Sequence, residues 1–130
     1  MTVFQRVTPR LPVIDLRPSI EFYTTVLGFN LGLLWPENAP TFAILERDQA
    51  SVQFCVAESR GEAPIERATL CFEVDDARAL HANLAGKVAV EWGPEVYWYG
   101  RREFAIRDPG GYLLIFSELS NDPPTCREDG

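Results

Sequence analysis

The side chains best suited to chemistry in this 130-residue chain are aromatic rings gathered in two segments. Trp35, with Phe42 beyond it, stands in the first; Trp92 and the run Tyr97-Trp98-Tyr99 form the second. Pro36, Pro40, Gly93, Pro94 and Gly100 surround them, which reads as loop. Three consecutive aromatics on an extended strand cannot all point into one core, so several rings are expected at the surface. Exposed rings can stack on a planar ligand, and a cationic ligand gains further from cation–π contact. The same rings can equally pack a subunit interface. The residues leave both uses open, and with them the question of which of Tyr97, Trp98 and Tyr99 faces outward.

Other chemistries find less support. Cys55, Cys71 and Cys126 form no C-x-x-C pair, and their odd number reads as reduced thiols in a cytoplasm. The one histidine, His81, falls in a helical pattern, where a structural or exposed role is the simpler reading. A single histidine builds no facial triad. There is no nucleophile elbow, and Gly110-Gly111 lacks the phosphate-loop lysine. A carboxylate-only metal site from Glu73, Glu103 or Glu118 is compatible with composition, but no spacing selects it. Arg101-Arg102-Glu103 reads first as a self-neutralising network, with Arg102 kept as a candidate ligand contact.

A net charge of −7 argues against a sequence-independent nucleic-acid binder, which needs a basic patch. It weakly favours a cationic small molecule. No apolar run approaches the ~18 residues of a membrane span. The opening Met1-Thr2-Val3-Phe4-Gln5-Arg6 has no signal-peptide pattern, which points to a cytoplasmic protein.

The elements that must position these side chains alternate in a regular order. Val7 to Val13 reads as an edge strand, since Pro9 and Pro12 each remove a ladder donor. Asp15 caps a helix that carries Pro18 in its first turn and Ile20, Tyr23 and Leu27 at helical spacing, and Gly28 closes it. Strands are expected at about Phe29 to Leu34, Thr41 to Glu46 and Ser51 to Ala57. A polar connector, Glu58 to Arg67, follows. The order then recurs: a strand at Ala68 to Val74, a helix capped by Asp75 or Asp76 and closed by Gly86, and strands at about Val88 to Trp92, Arg101 to Arg107 and Tyr112 to Glu118. Residues 119–130 read as a disordered tail. Phe42-Ala43-Ile44 before Arg47-Asp48 answers Phe104-Ala105-Ile106 before Arg107-Asp108, and Val52-Gln53-Phe54 answers Leu114-Ile115-Phe116. The expectation is an α+β fold of two tandem βαβββ modules, about 5–57 and 68–118, forming a curved mixed sheet within one domain, residues 1–118.

Two segments carry a resemblance. Leu11-Pro12-Val13-Ile14-Asp15-Leu16-Arg17-Pro18-Ser19-Ile20-Glu21-Phe22-Tyr23, continuing to Val26-Leu27-Gly28-Phe29, resembles the opening of the glyoxalase/bleomycin-resistance/extradiol-dioxygenase (vicinal oxygen chelate) superfamily. Gly100-Arg101-Arg102-Glu103-Phe104, running into Asp108-Pro109-Gly110-Gly111-Tyr112, resembles its closing G-x-R-E-F strand and D-P-x-G turn. Both motifs are scaffold: a helix cap and a tight turn.

The resemblance implies four metal-ligand positions in metal-dependent members, and these fall near Thr8, Gln53, Thr69 and Ile115. None is an anionic or imidazole ligand, so neither metal nor other cofactor is expected. The chain most resembles the metal-free bleomycin resistance proteins. That implies a homodimer with an exchanged N-terminal strand departing at Pro9, two ligand grooves, and a non-catalytic role in sequestering a planar, cationic antibiotic of the bleomycin type. Phe42 matches an aromatic that stacks on the antibiotic's bithiazole, and Tyr99 stands where that group carries tryptophan. The ligand-binding set is thus Trp35, Phe42, Trp98, Tyr99 and Arg102. Gly32 departs from the pattern, standing where an acidic residue is expected, and the loop around Glu37 is about four residues longer. The second reading is an enzyme of the same fold, metal-independent or with an atypical carboxylate site, acting as a lyase, isomerase or dioxygenase.

Overall fold

Each half of the chain builds a four-stranded mixed sheet with a helix on one face. The structure, a computed structural model, describes residues 1–57 and 68–126, and its contacts divide the chain into units Met1–Ile65 and Glu66–Gly130. The connector expected at Glu58 to Arg67 lies outside the described residues.

In the first unit, β1 (Arg10–Val13), β2 (Asn30–Trp35), β3 (Phe42–Arg47) and β4 (Ala50–Val56) lie in the order β1-β4-β3-β2. β1 runs parallel to β4 and the remaining pairs are antiparallel. β1 begins three residues later than the composition suggests. Pro9 supplies only a carbonyl, which accepts from the Gln53 N–H at 2.9 Å, and Phe4 and Val7 are exposed. Asp15 caps α1 (Leu16–Glu21) by accepting from the Arg17 N–H at 3.1 Å. The expected continuous helix widens into a π-helical segment, Phe22–Val26, closed by Gly28 at φ +72°. In this segment the Thr24 hydroxyl donates to Ile20 O at 2.7 Å and the Thr25 hydroxyl to Glu21 O at 2.6 Å, sharing carbonyls that α-helical N–H groups would use. Strand alternation puts Phe54, Val52, Ala43 and Leu45 on the helix side, where Tyr23 packs edge-on against Phe29 and Phe54.

The second unit repeats this plan with β5 (Thr69–Glu73), α2 (Ala77–Leu84), β6 (Val90–Tyr97), β7 (Arg101–Arg107) and β8 (Leu113–Leu119), in the order β5-β8-β7-β6. Of the two aspartates offered as cap, Asp76 is used, accepting from the Ala79 N–H at 3.0 Å. Phe72, Phe104 and Phe116 stack in a row beneath the helix, and the His81 ring meets Phe104 edge-on. His81 is thus packed against the core.

Two segments differ from expectation. β6 does not end at Trp92 but continues to Tyr97 through a bulge. Gly93, at φ +86°, brings its backbone so close to β7 that an added Cβ would lie 2.4 Å from Glu103 O. The strand then re-pairs, Glu95 with Glu103, Val96 with Arg102 and Tyr97 with Arg101. The tail expected to be disordered from residue 119 also makes defined bonds as far as Cys126. Leu119 ends β8. The Val96 N–H donates to Thr125 Oγ1 at 2.7 Å and the Thr125 N–H to Val96 O at 2.8 Å, so the tail satisfies backbone groups that the edge strand β6 leaves open.

Candidate functional site

The helix-free face of each sheet gathers polar and aromatic side chains whose neighbours follow from register. In the first unit one row across the strands is Pro12, Cys55, Phe42 and Trp35, and the next is Arg10, Gln53, Ile44 and Leu33. Trp35 and Phe42 are therefore direct cross-strand neighbours on one face. Trp35 is 61% exposed. Phe42 is only partly exposed, and the Arg10 guanidinium lies over its ring, 5.0 Å from the centroid. Arg10 Nε in turn donates to Gln53 Oε1 at 2.8 Å. A ring expected to receive a ligand alone is thus half of a cation–aromatic platform.

In the second unit the corresponding face carries Cys71, Ile115, Ala105 and Trp92 in one row and Glu73, Ser117, Glu103 and Glu95 in the next. Beyond them Tyr97 and Tyr99 stack, their centroids 5.7 Å apart, and Trp98 meets Tyr99 edge-on. The outward question is settled by exposure: Trp98 is 64% and Tyr99 48% exposed, while Tyr97 is buried, with Trp92 against its edge. The Tyr99 hydroxyl donates to Glu103 Oε1 at 2.6 Å, and Glu103 is buried. Burial, then this bond to the carboxylate, holds the Tyr99 phenol far above the ordinary tyrosine range. Burial first, then the Glu103 charge, also raises the Cys71 thiol, so Cys71 is not an activated nucleophile.

Arg102 stands apart from these groups. It pairs with Val96 and Glu118 on the helix side of the sheet, one residue out of phase with Arg101 and Glu103. Its guanidinium is held by Glu118 and Asp122, and Glu118 also accepts from the Ala77 N–H at 2.9 Å, at the start of α2. The bond to Arg102 lowers the Asp122 carboxyl below its ordinary range. Arg102 therefore ties tail, sheet and helix together. Arg101 takes the other face, reaching Glu73 at 3.8 Å and Ser117 Oγ at 3.3 Å.

The profile of the Glyoxalase/Bleomycin resistance protein/Dioxygenase superfamily matches residues 4–116. The chain belongs to this superfamily. Among solved structures, the bleomycin-binding protein of Streptomyces verticillus, complexed with copper(II)-bleomycin, superposes with a TM-score of 0.70 at 23% identity, covering 94% of this chain and 100% of that one. An antibiotic binding protein from Streptomyces sp. CB03234 gives 0.75 at 24% identity, covering 92% and 99%. Lactoylglutathione lyase from Agrobacterium tumefaciens gives 0.75 at 18%, covering 90% and 96%. At these identities the likeness establishes the fold. No curated protein matches.

The four residues that the resemblance implies as metal-ligand positions do not fit a divalent metal. Ile115 is a hydrocarbon, Thr8 and Thr69 offer neutral hydroxyls, and the Gln53 amide oxygen already accepts from Arg10. Among the described residues no group of three or more His, Cys, Asp or Glu side chains gathers. Glu118 faces away from Glu73 and Glu103, so the carboxylate-only set does not assemble. Sequence reading overlooked Arg10 and Gln53 beside Phe42, and Glu103 beneath Tyr99. Period-two alternation was the available signal: Arg101, Glu103 and Ala105 share one face, and Arg102, Phe104 and Ile106 the other.

Proposed function

We propose that this protein is a non-catalytic, dimeric binding protein that sequesters a planar small molecule of the antibiotic class, with a cationic group received by the second unit. The observation that carries the reading is the exposed aromatic pair at the β6–β7 turn, Trp98 and Tyr99, set against the buried Glu103 with Glu73 and Glu95 in the same row. Rings at that turn supply stacking area, and the carboxylates outnumber Arg101 on that face, which favours a cation. Trp35 and the Phe42–Arg10 pair offer a second aromatic surface on the first unit. The antibiotic- and bleomycin-binding proteins of the same fold support the ligand class. The exposed apolar residues Val3, Phe4 and Val7 support a homodimer in which the N-terminal segment passes to the partner.

Titration with metal-free bleomycin, followed by calorimetry and tryptophan fluorescence, tests the proposal. Saturable quenching is expected, weakened about tenfold or more by Tyr99→Ala, with sedimentation of the same samples giving a dimer mass. No heat and no quenching at high micromolar ligand removes bleomycin as the ligand, and a monomer mass removes the strand exchange.

A further inference from the structure

We infer that Arg10, held by Gln53 over Phe42, forms an oxyanion-binding site on the first unit, and that the planar group received there carries a carboxylate or an equivalent anionic oxygen pair. The inference rests on the reading that Trp35 and Phe42 receive a planar ring.

Arg17, Arg47, Arg101, Arg102 and Arg107 each have a carboxylate partner, at Asp15, Asp48, Glu73, Glu118 with Asp122, and Glu91 respectively. Among the described residues Arg6 and Arg78 also form no ion pair, and Arg10 differs from them in being held by an amide. Gln53 accepts from Nε at 2.8 Å, which fixes the guanidinium without neutralising it. Arg10 is exposed, and its Cζ lies 5.0 Å from the Phe42 ring centroid, a second contact on the same guanidinium. Arginine presents five N–H donors, and one is used by Gln53, so the Nη1 and Nη2 donors remain for a bidentate acceptor. Among the described residues no carboxylate forms an ion pair with them.

The strand register sets what can reach these donors. Arg10 and Gln53 share a row with Ile44 and Leu33, beside the row that holds Phe42 and Trp35. A ring laid against Trp35 and the Arg10–Phe42 platform has its edge next to guanidinium N–H groups, and guanidinium planes themselves stack on rings. The cation that Gln53 orients is the chain's own arginine. The charge of −7 over the whole chain disfavours anions, so a preference for an anionic ligand would have to come from this local cation.

The test uses the full chain and two isosteric planar probes, 2-phenylthiazole-4-carboxylate and 2-phenylthiazole-4-carboxamide. The readout is the indole N–H resonance of Trp35, assigned with Trp35→Phe. The carboxylate is expected to bind about tenfold or more tighter than the carboxamide. Arg10→Met should bring that ratio to about one, because the carboxylate loses its charged partner while both probes lose the same stacking surface. Gln53→Glu keeps the arginine but gives it an internal carboxylate partner, and should abolish the preference equally. Equal affinities for the two probes in the unmodified protein would overturn the oxyanion site and leave the planar-ring reading standing. A Trp35 resonance that neither probe moves overturns both.

Discussion

Replacing Arg102 separates two roles for that residue, because a ligand contact and a structural tie predict opposite outcomes. Arg102→Met keeps the aliphatic stem and removes the charge. The arginine side chain is 11% exposed and that of Glu118 16%, so the substitution strands a largely buried carboxylate. Breaking a buried pair by removing one partner costs about 3–5 kcal/mol. Two features place this case at or just below the low end of that range: the separation is 3.8 Å, and Glu118 keeps its bond from the Ala77 N–H. The Asp122 carboxylate is solvent-exposed, and its loss of a partner adds little. The expected loss is about 2–3 kcal/mol, which for a chain of this size lowers Tm by roughly 10 °C. Urea denaturation of Arg102→Met, Glu118→Gln and the double variant gives the coupling directly, and the double variant should recover part of the loss because no buried charge is left alone. Planar-probe binding by the folded Arg102→Met protein should equal that of the unmodified chain. Stability within about 0.5 kcal/mol of the parent, together with a large loss of probe binding, would refute this placement of Arg102 and restore it as a ligand contact.

Gly93→Ala should cost about 3 kcal/mol or more, since its Cβ would meet backbone atoms that cannot rotate away, Glu103 O at 2.4 Å and Phe104 Cα at 2.8 Å. Gly86→Ala, at a similar φ of +81° with nothing within 4 Å, should cost only about 1 kcal/mol, and equal losses in urea would contradict the close approach at β6. Tyr99 should keep its proton above the ordinary tyrosine range, and Glu103→Gln should bring its titration down by removing the charge that opposes the phenolate. Because its folded pKa is raised, the stability linked to Tyr99 is present below the unfolded tyrosine value and is lost as pH rises through the folded one. Ultraviolet titration of the parent against Tyr99→Phe reads this, and an ordinary Tyr99 titration, or one that Glu103→Gln leaves in place, would count against the Tyr99–Glu103 bond.

The elements that the sequence made legible are those set by local chemistry. Asp15, Asp76, Gly28 and Gly86 mark helix ends through caps and positive φ, and each stands where its residue type requires. Register was harder, because a one-residue slip exchanges the two faces of a strand. Phe42-Ala43-Ile44 and Phe104-Ala105-Ile106 look like repeats of one another, yet Ala43 pairs with Phe54 while Phe104 pairs with Phe116. The structural counterpart of Phe42 is therefore Glu103. The two strand connections differ in length, with Arg47 paired to Ala50 but Arg107 to Leu113, and the matching Arg-Asp residues conceal the offset. Arg102, a candidate contact by composition, lies on the helix side, and Glu103 on the other face. At Gly93-Pro94 the composition of a loop belongs instead to a bulge, because a close backbone approach needs glycine as much as a turn does.

Register also explains why the duplicated plan yields unlike faces. With β1 set against β5, β3 against β7 and β4 against β8, Thr8 corresponds to Thr69, Gln53 to Ile115, Arg10 to Cys71 and Phe42 to Glu103. At the first two pairs a hydroxyl matches a hydroxyl, and an amide stands against a hydrocarbon. The other two pairs have diverged in charge. The first unit holds a cation over a ring, and the second holds a buried carboxylate beneath a tyrosine. A duplicated unit that kept its backbone and changed these positions in opposite directions presents two chemically distinct surfaces. That asymmetry gives each surface its own test, since Arg10→Met and Glu103→Gln act on opposite charges and should leave each other's probes unaffected.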